Sequence, residues 1–387
     1  MKDEICFVVQ RYGLEVNGGA ELHCRQIAEH MAKEYDLTVL TTKAVDYMTW
    51  EDKYDAGEEC LNGVKVLRFS VKHPRDNARF NQLNARLMGR RKINEEEWVK
   101  EQGPFVPELV AYIREHKNAY KCFVFFTYLY YTTVEGIKEV KEKSILVPDA
   151  HDEVFLKMKT YKNLFRMPRG FFFNTEEEKQ LVDKKFNLKN VSCSIGGIGV
   201  EVPQDADGNR FKEKYGLSDY ILYAGRIDTG KNCHTLFAYF DLYKKRNSRD
   251  VKLVLIGKEI INVPQREDMI SLGFVSETDK YDAMAGAKLM VMPSQYESLS
   301  IVVLESMELG VPVAINGECD VLKGHCIKSN GGLYYKGYYE FEGILNYLLT
   351  HEKERALMGK NGKKYVNDNY CWEKVTQNLK NLINITK

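Results

Sequence analysis

Short, unbroken apolar runs of strand length recur along the chain, at residues 5–9, 37–40, 64–69, 122–126, 144–147 and 171–174, with amphipathic stretches between them. A strand reads as continuously apolar, rather than alternating, when helices cover both faces of a parallel sheet. Between the first two runs, residues 20–33 place Leu22, Ile27 and Met31 at helical spacing, which completes one βαβ unit. A second series, at 220–224, 251–256, 289–292 and 312–315, begins after the polar, turn-rich loop 203–209, the clearest break in the chain. Two successive α/β sets predict two doubly wound, Rossmann-like domains facing a central cleft, with the boundary at 202/203. Ligands of such folds gather outside the carboxyl ends of the strands, so the chemistry is sought in the loops that follow them.

The length agrees, because 387 residues exceed what one hydrophobic core usually organises. Lys and Arg total 56 against 55 Asp and Glu, and a net charge of +1 excludes a protein built mainly to wrap nucleic acid. The start, Met1-Lys2-Asp3-Glu4-Ile5, turns apolar too briefly for a secretory signal, and no stretch is apolar for the ~18 residues of a spanning helix. The expectation is a cytoplasmic protein that meets a membrane, if at all, from its cytoplasmic surface. The 9 cysteines are scattered, with no C-x-x-C and no His pair at zinc spacing, and read as buried free thiols. Residues 72–102 form an irregular insertion carrying Arg75, Arg79, Arg86, Arg90, Arg91 and Lys92, then Glu95-Glu96-Glu97. Such an insertion is either a solvated charged face or, through 72–92, a basic surface for an anionic acceptor or lipid headgroups.

The sharpest motif runs from Met292-Pro293-Ser294 through Glu297-Ser298-Leu299-Ser300 and Glu305 to Gly310. A buried strand opens into a loop, Ser298 or Ser300 caps a helix, and Gly310 ends it, with Pro312 forbidding continuation. Glu297 then lies in the loop and Glu305 about a turn inside the helix. Carboxylates so placed accept hydrogen bonds from the vicinal hydroxyls of a sugar or ribose, while the helix N-terminus favours a phosphate. Upstream, Gly225-Arg226-Ile227-Asp228-Thr229-Gly230-Lys231-Asn232 follows a strand and nearly satisfies the P-loop spacing. Asn232 replaces the hydroxyl that would hold Mg²⁺, and neither neighbouring strand ends in a metal-holding Asp. What remains is the cationic pair Arg226 and Lys231 beside a helix N-terminus, a diphosphate site without an obvious metal. In the first half, Val16-Asn17-Gly18-Gly19-Ala20-Glu21 enters the first helix, where adjacent glycines permit positive φ and close backbone approach. The dinucleotide pattern G-x-G-x-x-G is absent. His151 follows another strand and faces the same side as these loops, as a structural hydrogen-bonder or a catalytic group.

Together these motifs resemble glycosyltransferase family 4, retaining enzymes of the GT-B fold that use nucleotide-activated sugars. The resemblance also takes in His151-Asp152, Asn174-Thr175-Glu176-Glu177-Glu178-Lys179 and Gly199-Val200-Glu201. It implies that Arg226 and Lys231 hold the donor diphosphate, Glu305 the ribose hydroxyls and Glu297 the transferred sugar. Gly225, Ser298, Leu299 and Ser300 would lie along the phosphates and sugar, and the segment of Phe274 would meet a uracil or guanine base. Gly18, Gly19 and His151 would come from the acceptor-side domain, to which residues 372–387 would cross back as a helix. Family members often carry Gly where this chain has Ser300. The implied activity is metal-independent transfer of a hexose from a UDP- or GDP-sugar to a hydroxyl of a glycan or lipid-linked acceptor, in surface polysaccharide or glycoconjugate synthesis. No cofactor is implied, since the nucleotide sugar is substrate. A nucleotide-binding scaffold subunit of the same fold without turnover, or a P-loop NTPase, are the alternatives.

Overall fold

The computed structural model describes residues 2–16 and 18–385, so Asn17 of the first-half glycine loop lies outside the described residues. The chain divides into two compact units, Met1–Ile198 with Trp372–Lys387, and Gly199–Cys371. The division falls a few residues before the polar loop at 203. Val200 N donates to Tyr370 O at 2.8 Å, which ties the start of the second unit to its own last residues.

The first unit holds an eight-stranded sheet of order β3-β4-β2-β1-β5-β6-β7-β8. Its strands are β1 (Glu4–Val8), β2 (Asp36–Thr42), β3 (Gly57–Leu61), β4 (Val64–Phe69), β5 (Cys122–Phe126), β6 (Ser144–Val147), β7 (Gly170–Phe173) and β8 (Ser192–Ile195). All neighbours pair in parallel except β3 with β4. The apolar run of β5, Cys-Phe-Val-Phe-Phe, is buried at every residue, as a central strand covered on both faces requires. The helix Gly19–Met31 covers one face through Ile27, Ala28 and Met31. The last helix, Trp372–Ile385, belongs to this unit: Trp372 stacks on His30 with ring centroids 3.7 Å apart, and Lys380 pairs with Glu34 at 2.9 Å.

Residues 72–102 are not irregular: they fold as two helices, Asn77–Met88 and Glu95–Gln102. Asp76 accepts from Arg79 N and Asn94 from Glu96 N and Glu97 N, so each helix has its cap. Three apolar side chains, Leu83, Trp98 and Val99, anchor the pair, and Trp98 lies 4.9 Å from the Phe155 ring. The charges that dominate the stretch in sequence hide this narrow apolar seam. The thiols also differ from expectation at three places, since Cys60 on β3 is exposed and Cys193 and Cys371 are half-buried.

The second unit holds a six-stranded parallel sheet of order β11-β10-β9-β12-β13-β14. Its strands are β9 (Tyr220–Ala224), β10 (Lys252–Ile256), β11 (Met269–Ser271), β12 (Leu289–Met292), β13 (Val313–Asn316) and β14 (Gly332–Tyr335). This is the doubly wound order, and its direction reverses between β9 and β12, where a crevice opens outside the strand ends. The glycines ending β9 and β10 share one crossing. Gly257 has φ 131°, and a Cβ there would stand 2.0 Å from Gly225 O. Replacing Gly257 by Ala therefore forces backbone apart as well as straining φ, and should cost about 3 kcal/mol of stability. Urea unfolding measures it; a loss below about 0.5 kcal/mol would show that the two turns are not tightly packed.

Candidate functional site

Two loops meet at the switch point of the second sheet. The first leaves β9 at Gly225, whose φ of 146° only glycine adopts readily and whose N–H donates to Ile256 O at 2.9 Å. Asp228 organises the rest of this loop: its carboxylate pairs with the Arg226 guanidinium and accepts from Lys231 N at 2.7 Å. The chain then turns through Asn232 at φ 59° into the helix Cys233–Arg246. Asn232 Nδ2 donates to Pro293 O at 3.2 Å, which pins this loop to the one after β12.

The second loop carries Glu297, and Lys231 Nζ donates to its Oε1 at 2.6 Å. The helix after this loop is Ile301–Glu308, with Gly310 beyond it at φ 74° and Val311 N donating back to Ser306 O. Ser300 does not cap it as expected. Ser300 occupies the N-cap position but has φ 66°, and its buried Oγ has no hydrogen-bond partner, because a left-handed backbone turns the side chain away from the first free N–H groups. The same φ explains why a glycine fits this position without strain. Leu299 is buried, and Ser298 is half-buried beside it. Inside the helix, Glu305 Oε1 accepts from Lys280 Nζ at 2.9 Å and Tyr281 Oη at 3.0 Å, whereas Oε2 is buried with no partner. Burial, with Glu305 second, drives the Tyr281 phenol up, so it stays a donor. Phe274 is 66% exposed and follows Gly273, which turns at φ 64° just past β11.

Arg226, Lys231 and Glu297 thus form one cluster bonded through Asp228, on the loop that Gly225 begins, and Glu305 is held separately by its own donors. Gly18, Gly19 and His151 belong to the first unit. Gly18–Gly19 leads into the helix after β1, beside the reversal of strand order between β1 and β5. Neither glycine uses the left-handed region that adjacent glycines permit: Gly18 is extended at φ 172°. Its missing side chain instead makes room for Glu21, whose Oε2 would lie 2.1 Å from a Cβ at Gly18; nothing lies within 4 Å of one at Gly19. His151 follows β6, and its Nδ1 is buried without a hydrogen-bond partner. Beside it Asp149, at φ 52°, accepts from Asn174 Nδ2 at 2.7 Å and Thr127 Oγ1 at 3.0 Å. Glu178 accepts from Ala150 N and Asn174 N, and burial drives its carboxyl well above the usual range. Among the described residues no cluster of His, Cys, Asp and Glu could hold a metal ion.

Sequence reasoning gave no role to Asp228, Lys280 or His325. His325 is fully buried, and its Nε2–H donates to Leu299 O at 2.8 Å while Nδ1 accepts from Tyr365 Oη at 3.1 Å. The carbonyl can only accept, which fixes the tautomer. It therefore clamps the peptide just before Ser300. Nothing local signals this, since 26 residues separate the partners.

Residues 206–365, all within the second unit, match the family model described as glycosyl transferases group 1. An uncharacterized glycosyltransferase of Methanocaldococcus jannaschii is 24% identical over 246 residues, 55% of this chain and 62% of the relative. A capsular polysaccharide biosynthesis glycosyltransferase of Staphylococcus aureus is 26% identical over 208 residues, 49% of this chain and 53% of the relative. The chain spans between 53% and 62% of the length of these curated relatives. Among solved structures, Anabaena HepE in complex with UDP and glucose is similar with a TM-score of 0.71 at 15% identity, covering 99% of this chain and 100% of that one. The fold is GT-B.

Burial, with Lys328 adding to it against the Leu299 carbonyl, lowers His325 to about 4. Its folded value lies below the unfolded one of about 6.5, so its contribution is complete above that pH and is lost as pH falls toward 4. About 2 kcal/mol should disappear between pH 7.5 and pH 5. Comparing urea unfolding of the protein and of His325→Gln at both pH values reads this directly; an equal loss in both would remove His325 as the cause.

Proposed function

We propose that the chain is a retaining glycosyltransferase that moves a hexose from a UDP- or GDP-sugar to a hydroxyl of a glycan or lipid-linked acceptor, without a metal ion. The contact of Lys231 Nζ with Glu297 Oε1 at 2.6 Å carries the reading. It joins two motifs 66 residues apart at the switch point, where this fold class receives its ligand. The group 1 domain match and the UDP and glucose of the similar Anabaena protein support a nucleotide-sugar donor. The Staphylococcus aureus relative supports a place in surface polysaccharide synthesis.

In this reading Arg226 and Lys231 take the diphosphate, and each is held ready by a carboxylate, Asp228 and Glu297. A diphosphate arriving at Lys231 competes with Glu297 for the ammonium, and the released carboxylate is then free to accept from the sugar hydroxyls. Glu305 has one oxygen saturated by Lys280 and Tyr281 and the other buried and empty of partners, so it offers a single acceptor to a ribose hydroxyl. The exposed Phe274 beside Gly273 lies along the base. Gly225, Leu299 and Ser300 bring backbone and the helix N-terminus to the phosphates. In the first unit, His151 is the residue we propose touches substrate, through its unpartnered Nδ1.

The anomeric C–O bond breaks with its electron pair passing to the diphosphate oxygen. The acceptor hydroxyl forms the new bond on the same face and gives its proton to that departing oxygen. Two cations and a helix N-terminus stabilise the charge as it develops, while the sugar passes through an oxocarbenium-like state. A panel of UDP- and GDP-sugars incubated with acceptor-bearing glycans in chelator should give transfer or donor hydrolysis, read by mass spectrometry. Lys231→Ala should lower kcat/KM about a hundredfold or more, since a contact to the leaving charge is removed. Full dependence on added Mg²⁺, or an unchanged rate in the variant, would overturn the reading.

A further inference from the structure

The helices Asn77–Met88 and Glu95–Gln102 carry a run of acids and a run of bases that look balanced in sequence, but the structure separates them. Each of the three glutamates is occupied. Glu95 accepts from Lys159 N at 3.0 Å and Thr160 N at 2.7 Å, Glu96 pairs with Lys100 at 2.9 Å, and Glu97 accepts from Arg79 Nε at 2.6 Å. Arg75 points inward, donating to Glu101 O at 3.0 Å with its guanidinium 4.5 Å from the Phe80 ring centroid. Arg86, Arg90, Arg91 and Lys92 are all exposed and have no carboxylate partner among the described residues. A tight turn gathers them: Arg91 N donates to Arg86 O at 2.8 Å and Arg86 Nη2 to Lys92 O at 3.0 Å. At the same tip Met88 is 52% exposed, and a separate groove of about 400 Å³ is lined by Arg79, Leu83, Arg86, Lys92, Ile93, Asn94 and Glu97.

We propose that this helical tip is a docking surface for an anionic lipid membrane, with phosphate headgroups against Arg86, Arg90, Arg91 and Lys92 and Met88 entering the acyl boundary. Charge alone would suit any polyanion. The methionine exposed among these cations at the end of the helix favours a surface that is anionic outside and hydrocarbon beneath. The inference stands apart from the donor site, since none of these residues takes part in it.

Flotation with vesicles of phosphatidylcholine alone, and of phosphatidylcholine with phosphatidylglycerol, tests it. Binding is expected on the mixed vesicles only, and should weaken as salt rises. Neutralising Arg86, Arg90, Arg91 and Lys92 together to Gln should lower partitioning about a hundredfold or more. Met88→Ser should weaken vesicle binding and leave binding to soluble polyphosphate unchanged. Donor hydrolysis in the absence of vesicles should be unaltered in both variants, which separates this result from the donor assignment. Equal flotation on neutral vesicles, no loss in the quadruple variant, or vesicle binding no tighter than polyphosphate binding and unchanged by Met88→Ser, would each overturn the lipid assignment.

Discussion

The second unit is organised around one ion pair, Lys231 with Glu297, at the point where its sheet changes direction. Strand order dictates this: β9 and β12 are neighbours in the sheet, so the loops leaving their carboxyl ends must meet, however far apart they lie in sequence. Everything nearby serves to hold those loops in shape. Gly225 and Gly257 let two turns cross at backbone distance, Asp228 bonds to both cations' segment, and His325 fixes the carbonyl of Leu299. Each acts on the backbone or on a charged group, not on bulk packing, which is the economy expected where side chains must stand within a fraction of an ångström of a ligand.

The electrostatics arise from the same arrangement. On the proposed reading a chain with net charge +1 still binds a diphosphate, because the cations concerned are few and local. Arg226 and Lys231 are each neutralised by a carboxylate within their own unit, and on the proposed reading an incoming phosphate exchanges one anionic partner for another without leaving an unpaired charge. Glu305 shows the reverse arrangement: Lys280 compensates its charge from one side and leaves one buried oxygen unused. Buried acceptors are rarely left without donors, and on the proposed reading a ribose hydroxyl supplies this one.

The interior strands were legible because continuous burial writes itself as continuous apolar sequence; β5, β9 and β12 stand where the apolar runs place them. The strands without such a signal, β3, β8, β11 and β14, are the four sheet edges. An edge has one neighbour and partial cover, so Gly57–Leu61 and Ser192–Ile195 read as polar or mixed. At the site, Arg226, Lys231, Glu297 and Glu305 were visible through spacing around loops. Asp228 sat unnoticed in the same string, and His325 and Lys280 were invisible because their roles exist only through tertiary contacts.

On the proposed reading, this loop cluster recognises a nucleoside diphosphate in two parts, phosphate by Lys231 and ribose by Glu305. Calorimetric titration of UDP, GDP and inorganic pyrophosphate into the protein, Lys231→Ala and Glu305→Gln tests it most directly. Lys231→Ala should weaken all three ligands, and Glu305→Gln should weaken whichever nucleotide binds while leaving pyrophosphate unchanged. Absence of nucleotide binding to the unaltered protein, or equal losses of pyrophosphate and nucleotide in Glu305→Gln, would contradict it.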